Sequence, residues 1–218
     1  MCYNKETSLQ TFSITLICSI ILIFRNLTYD RVLAIFFIVV SLVQLLEYFI
    51  WSDQECGEIN NIATRLLLVT ISIQPIVLLI GCIYYNLVNL NHQIIYIYLG
   101  IYSIIICIIA FNAFTIKKKL CSKPSEESHH LLWDIQPILY TIPNSIYLFI
   151  ILYFVILLVF LFFKNKSLAV IYFILYCFSF ILSIVLNYSK KGTWKTYWCW
   201  IGNIVPILSL IIGYLYDI

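Results

Sequence analysis

The chain has 218 residues, 63% hydrophobic and only 11% charged, and its mean hydropathy of +1.00 lies outside the range of soluble domains. Its net charge of +3 is spread over separate connections rather than gathered into one basic patch, so no nucleic-acid partner is expected. These numbers describe an integral membrane protein whose first partner is the lipid bilayer.

A helix needs about 20 apolar residues to cross the hydrocarbon core. Runs that meet this need occur, in chain order, at 8–25, 32–51, 62–85, 94–116, 143–163, 167–188 and 197–216. The predicted fold class is all-α, a seven-transmembrane helical bundle that takes up residues 1–218 as one domain. The runs are continuous and lack the dyad alternation of a membrane barrel. The first follows polar residues with a single lysine and has no small-residue cleavage site behind it, so it reads as a retained span rather than a signal peptide. The one long connection, KKKLCSKPSEESHHLLWDIQP at 117–137, is polar at first and then amphipathic, which suggests an interfacial helix before the fifth span. The tetrapeptide IQPI occurs at 73–76 and 135–138 without further similarity around it, and internal duplication is not expected.

Seven spans put the termini on opposite sides. Lys5, Arg65, Lys117, Lys118, Lys119, Lys123, Lys190, Lys191 and Lys195 belong to the amino-terminal side, against Arg25, Arg31, Lys164 and Lys166 on the other. That bias predicts a cytosolic amino terminus. The sequons at Asn26 and Asn165 fall on the opposite side, as a lumenal face allows, although the sequon at Asn187 falls on the amino-terminal side. Trp51, Trp133, Trp194, Trp198 and Trp200 all map to the amino-terminal side, at the level where indoles settle among headgroups.

The same side carries the residues with chemistry. Glu47 lies six residues inside Asp53, about 9 Å below the water boundary at 1.5 Å per residue. An ionised carboxylate facing lipid at that depth costs about 2.5–3.5 kcal/mol or more, so Glu47 is expected to face the bundle. Gln44 and Trp51 share its helical face. Arg65, at the start of the third span, is the nearest candidate partner in the chain. Asn112, Asn144 and Asn203 also sit nearer the amino-terminal face within their spans, and Gln74 lies deeper, beside the helix-kinking Pro75. If they converge, these side chains line a polar cleft that takes a small-molecule or ion ligand; the plainer reading is that the amides tie helices together.

Cys2, Cys56, Cys121 and Cys199 form a thiol cluster on that face, near His129 and His130. They lack the close ligand spacing of a zinc site, so no metal or cofactor is expected. Reduced, acylated and disulfide states stay open, and two disulfides would argue for a lumenal face.

The opening MCYNKETS, the segment LLEYFIW and the WCW at 198–200 resemble an uncharacterised family of multi-pass membrane proteins from giant DNA viruses, algae and fungi. Cys2, Asn4, Ser8, Glu47, Trp51, Trp198, Cys199 and Trp200 carry the resemblance. It implies a viral membrane protein in a host endomembrane, the plasma membrane or the virion membrane, and it brings no activity with it. The functional expectation is a polar cleft around Glu47 that binds or passes a solute, an ion or protons. A scaffold or receptor-like binder is the alternative, and an intramembrane enzyme using Cys2 comes third.

Overall fold

The computed structural model describes residues 4–126, 129–139, 154, 158–186 and 202–216. The described residues are all-helical apart from one minimal β-ribbon: α1 Lys5–Arg25, α2 Asp30–Ser52, α3 Glu58–Tyr84, α4 His92–Thr115, β1 Lys123–Pro124, β2 Leu131–Leu132, α5 Gln136–Leu139, a 3-10 segment Leu158–Phe162, α6 Lys166–Leu186 and α7 Val205–Tyr216. Five of these, α1 to α4 and α6, are long and apolar enough to cross a membrane. The helix expected at 143–163 falls largely outside the described residues, and the helix expected at 197–216 is described from residue 202 onward.

Short polar side chains set the helix ends. Asn4 caps α1 by accepting from Thr7 N–H at 2.8 Å, and Asn26 ends it in the left-handed conformation at φ 57°, its N–H bonded to Leu22 O. α3 begins at Glu58, a turn before its apolar run at 62, because Asp53 accepts from Gly57 N–H (2.8 Å) and Asn60 N–H (3.0 Å) and so satisfies the first donors of the helix. Pro75 lies inside α3 without ending it, since a membrane helix tolerates the one carbonyl that proline frees.

α2 is the central stave. It packs against α1 and α3 along its length and touches α7, burying Val32, Leu33, Phe36, Phe37, Val43 and Ile50. α4 packs on α3 far less extensively and turns Ile97, Ile104 and Phe111 outward at 63%, 63% and 68% exposure. In lipid such a face carries no penalty, because acyl tails are as apolar as the side chains.

The two ends of the bundle are closed differently. At the end remote from the amino terminus, Val88 forms a bridge with Phe163, Asn89 N–H donates to Phe162 O and Lys164 N–H to Leu87 O, both at 2.9 Å. The Tyr29 ring stacks obliquely on Phe163 with centroids 4.8 Å apart, and its hydroxyl accepts from Asn165 N–H at 3.0 Å. At the amino-terminal end, residues 116–126 and 129–135 form a strap folded over the α2–α3 turn. The strap holds the β1–β2 ribbon, closed by Ser125 N–H to His130 O (2.8 Å) and His129 N–H to Ser125 O (2.9 Å), with His129 at φ 55°. Pro124 offers no N–H to continue a helix there, and α5 begins at Gln136.

Candidate functional site

Glu47 and Gln44 lie one helical turn apart on α2 and both are fully buried, on the bundle side of the helix. The carboxylate therefore points away from lipid, as its cost there requires. A described hydrogen bond reaches it from the strap: the Trp133 indole donates Nε1–H to Glu47 Oε1 at 3.1 Å. Trp51, one turn along α2 from Glu47, packs against the core, and its own indole N–H is buried without a hydrogen-bond acceptor among the described residues.

The strap that delivers Trp133 is held by α3. Asn60 Nδ2 donates to Ser122 O at 2.9 Å while Asn60 Oδ1 accepts from Ser122 N–H at 2.9 Å, so one side chain pairs with the strap backbone as a neighbouring strand would. The same amide donates to Asp53 O at 2.8 Å. Thr64 and Ser122 share a hydroxyl bond at 2.9 Å, and Ser122 Oγ accepts from Asp134 N–H at 3.1 Å, which fixes the backbone beside Trp133. Asp134 in turn accepts from Cys121 N–H (3.2 Å) and faces Lys118 Nζ at 3.7 Å. A disulfide joins Cys56 in the α2–α3 turn to Cys121 in the strap, with Cα atoms 5.2 Å apart.

Arg65 is committed to this assembly rather than to Glu47. Its guanidinium donates to Ala113 O, to Ile116 O (3.1 Å) and to Lys118 O (2.9 Å), and its Nε to Asn61 Oδ1 (3.0 Å), which also accepts from Leu120 N–H at 3.0 Å. A fixed cation at the C-terminal end of α4 meets the negative end of that helix's dipole and its unpaired carbonyls. Sequence proximity makes Arg65 a candidate for the acid, but three carbonyls at the α4 terminus and the Asn61 amide oxygen on α3 take its donors instead.

The other expected residues divide. Asn203 accepts from Thr15 Oγ1 at 2.8 Å, a buried tie between α1 and the segment leading into α7. Gln74 is buried deeper in α3, and Asn112 is half-buried in the last turns of α4. Asn144, Cys2 and Cys199 lie outside the described residues, and with them the Cys2-based enzyme reading. Among the described residues no cluster of three or more His, Cys, Asp or Glu side chains is placed to hold a metal.

A second polar cluster at the opposite end went unread in the sequence. Arg25 forks onto Asp30, with Nη2 to Oδ1 at 2.7 Å and Nε to Oδ2 at 2.8 Å, and its remaining donors reach Leu210 O and, at 3.2 Å, Ser209 O. Tyr172 on α6 bonds Ser209 Oγ at 2.9 Å, so α1, α2, α6 and α7 meet there. Its one sequence signal is a charged pair spanning a tight turn between two apolar runs.

No protein-family model, curated protein or solved structure matches the chain.

Proposed function

We propose that the protein is a seven-span membrane protein in which Glu47 forms a gated intramembrane site for protons or a small cationic or polar solute. The observation that carries this reading is the Trp133–Glu47 hydrogen bond. A buried acid whose oxygen is held by a side chain from a surface strap can exchange that indole donor for a ligand when the strap shifts. The reading of seven spans is supported by the two bundle ends, since the strap lies at the amino-terminal end and Phe163 at the other. Kinship with the giant-virus family, and placement in a host endomembrane, plasma membrane or virion membrane, belong to the same proposal. The test is flux of protons and small solutes into proteoliposomes. Wild type is expected to conduct, Trp133→Phe to conduct faster and Glu47→Gln to be silent; equal flux for wild type and Glu47→Gln overturns the reading.

A scaffold role is the second reading, and a specific observation favours it. Asn60, Asn61, Arg65 and Asn203 all serve as ties between segments of the chain. The proteoliposome experiment separates the two, because a scaffold gives no flux with either carboxylate or amide at position 47.

A further inference from the structure

The lysine bias of the sequence and the disulfide of the structure point to opposite sides of the membrane. We propose that the amino-terminal face, with its strap, lies on the oxidising side, lumenal or extracellular, and that Cys56–Cys121 is the strap's permanent latch. This does not depend on what Glu47 binds.

The strap is a poor structure on its own. It has a ribbon of two residues per strand, and its buried apolar side chains are few: Leu120, Leu131 and Ile135. So short a ribbon is not independently stable in water. It is held by polar ties to α3 and by one covalent bond that joins two separate connections across 65 residues of sequence. Both cysteines are placed by other contacts: Cys56 by its left-handed backbone at φ 62° just before the Asp53-capped start of α3, Cys121 by its N–H on Asp134 and by the Asn60–Ser122 pair beside it. The fold thus brings two thiols to bonding distance at the water boundary. Closing the bond removes two protons and two electrons from them, passed to the disulfide of a thiol–disulfide oxidoreductase of the secretory compartment. In the cytosol the glutathione and thioredoxin systems keep such a pair reduced.

The opposing lysine count is weakened by what those residues do. Arg65 is built into the bundle as the α4 cap, and Lys118 and Lys119 stand 3.7 and 3.6 Å from Asp134 and Glu58. The lysines of 117–119 belong to a strap folded back on the bundle, not to a free loop. The four described free thiols, Cys18, Cys82, Cys107 and Cys177, all lie within the helices α1, α3, α4 and α6. Among the described residues, the connections at the end remote from the amino terminus carry no cysteine.

The experiment uses the wild-type chain expressed in eukaryotic cells. Thiols are quenched with acid and alkylated, and peptides containing Cys56 and Cys121 are weighed without reduction. In parallel, sealed microsomes are treated with a membrane-impermeant amine reagent before and after opening, and Lys117, which is exposed, is assayed for the label. The expected result is a linked Cys56–Cys121 peptide and labelling of Lys117 only in opened vesicles. Free thiols at both positions, or labelling of Lys117 in sealed vesicles, overturns the assignment.

Discussion

Asn60 and Ser122, far apart in sequence, exchange two hydrogen bonds of 2.9 Å, one in each direction, between α3 and the strap. The amide works as a substitute strand edge, and it is fully buried. Removing it leaves the Ser122 N–H and C=O without their partners, at about 1–3 kcal/mol for each buried group left unsatisfied. Asn60→Ala is expected to lower the unfolding midpoint of the purified protein in detergent, and Asn60→Asp, which keeps the acceptor but loses the donor, to fall between it and wild type. Equal midpoints for all three would show that the pair contributes nothing to stability.

Trp133→Phe keeps most of the apolar contact over the α2–α3 end and removes only the indole donor to Glu47. A side-chain hydrogen bond is worth about 0.5–1.5 kcal/mol, so the strap should leave Glu47 open about two- to tenfold more often. The check is the rate at which a hydrophobic carbodiimide modifies position 47, which should rise in Trp133→Phe and vanish in Glu47→Gln. An unchanged rate would mean that Trp133 does not guard the acid.

The Arg25–Asp30 fork is a tightly buried ion pair, with side chains 10% and 5% exposed. Arg25→Ala strands Asp30 and is expected to destabilise by about 3–5 kcal/mol. The double variant Arg25→Ala/Asp30→Ala should recover part of that loss, because no charge is then left alone. Gly213 passes directly beneath the guanidinium, and a Cβ there would collide with Arg25. Gly213→Val should therefore reproduce part of the Arg25→Ala defect in wild type and add little to it in the double variant, as read by a double-mutant cycle of unfolding in bicelles.

Asp53 lies outside the spans, and the N–H groups of Asn60 and then Gly57 hold its carboxyl below the usual carboxylate range. A depressed acid contributes stability that is complete above its unfolded pKa, about 3.9, and is lost as pH falls through the lower folded value. Thermal midpoints should therefore decline below about pH 4 in wild type and be flatter there in Asp53→Asn. Gly57→Ala, whose Cβ would press on the Asp53 carboxylate, should also flatten the decline.

The helices were legible because burial in lipid demands long apolar runs, and the runs at 8–25, 32–51, 62–85, 94–116 and 167–188 lie where α1, α2, α3, α4 and α6 do, to within a few residues. The inward direction of Glu47 was legible for the same reason, since the cost of an acid in hydrocarbon leaves one tolerable side. Its neighbour was not. Trp133 follows Glu47 by 86 residues, and nothing in local spacing says that a connection folds back over the bundle. Arg65 misled because charge pairing was weighed without the helix end beside it; four carbonyl and amide oxygens converge there only once α4 has packed on α3. The ribbon within 117–137 is not legible because Leu131, Leu132 and Trp133 show apolar content but, over so few residues, no decisive period.

The sulfur bridge makes a ring of everything between Cys56 and Cys121: α3, the far turn, α4 and the first part of the strap. A peptide bond cut anywhere inside that ring leaves one molecule, not two, and the pieces part only when a reductant is added. Two staves of the bundle thus share a covalent hoop, and damage to the turn that joins them cannot by itself let α4 drift away into the bilayer.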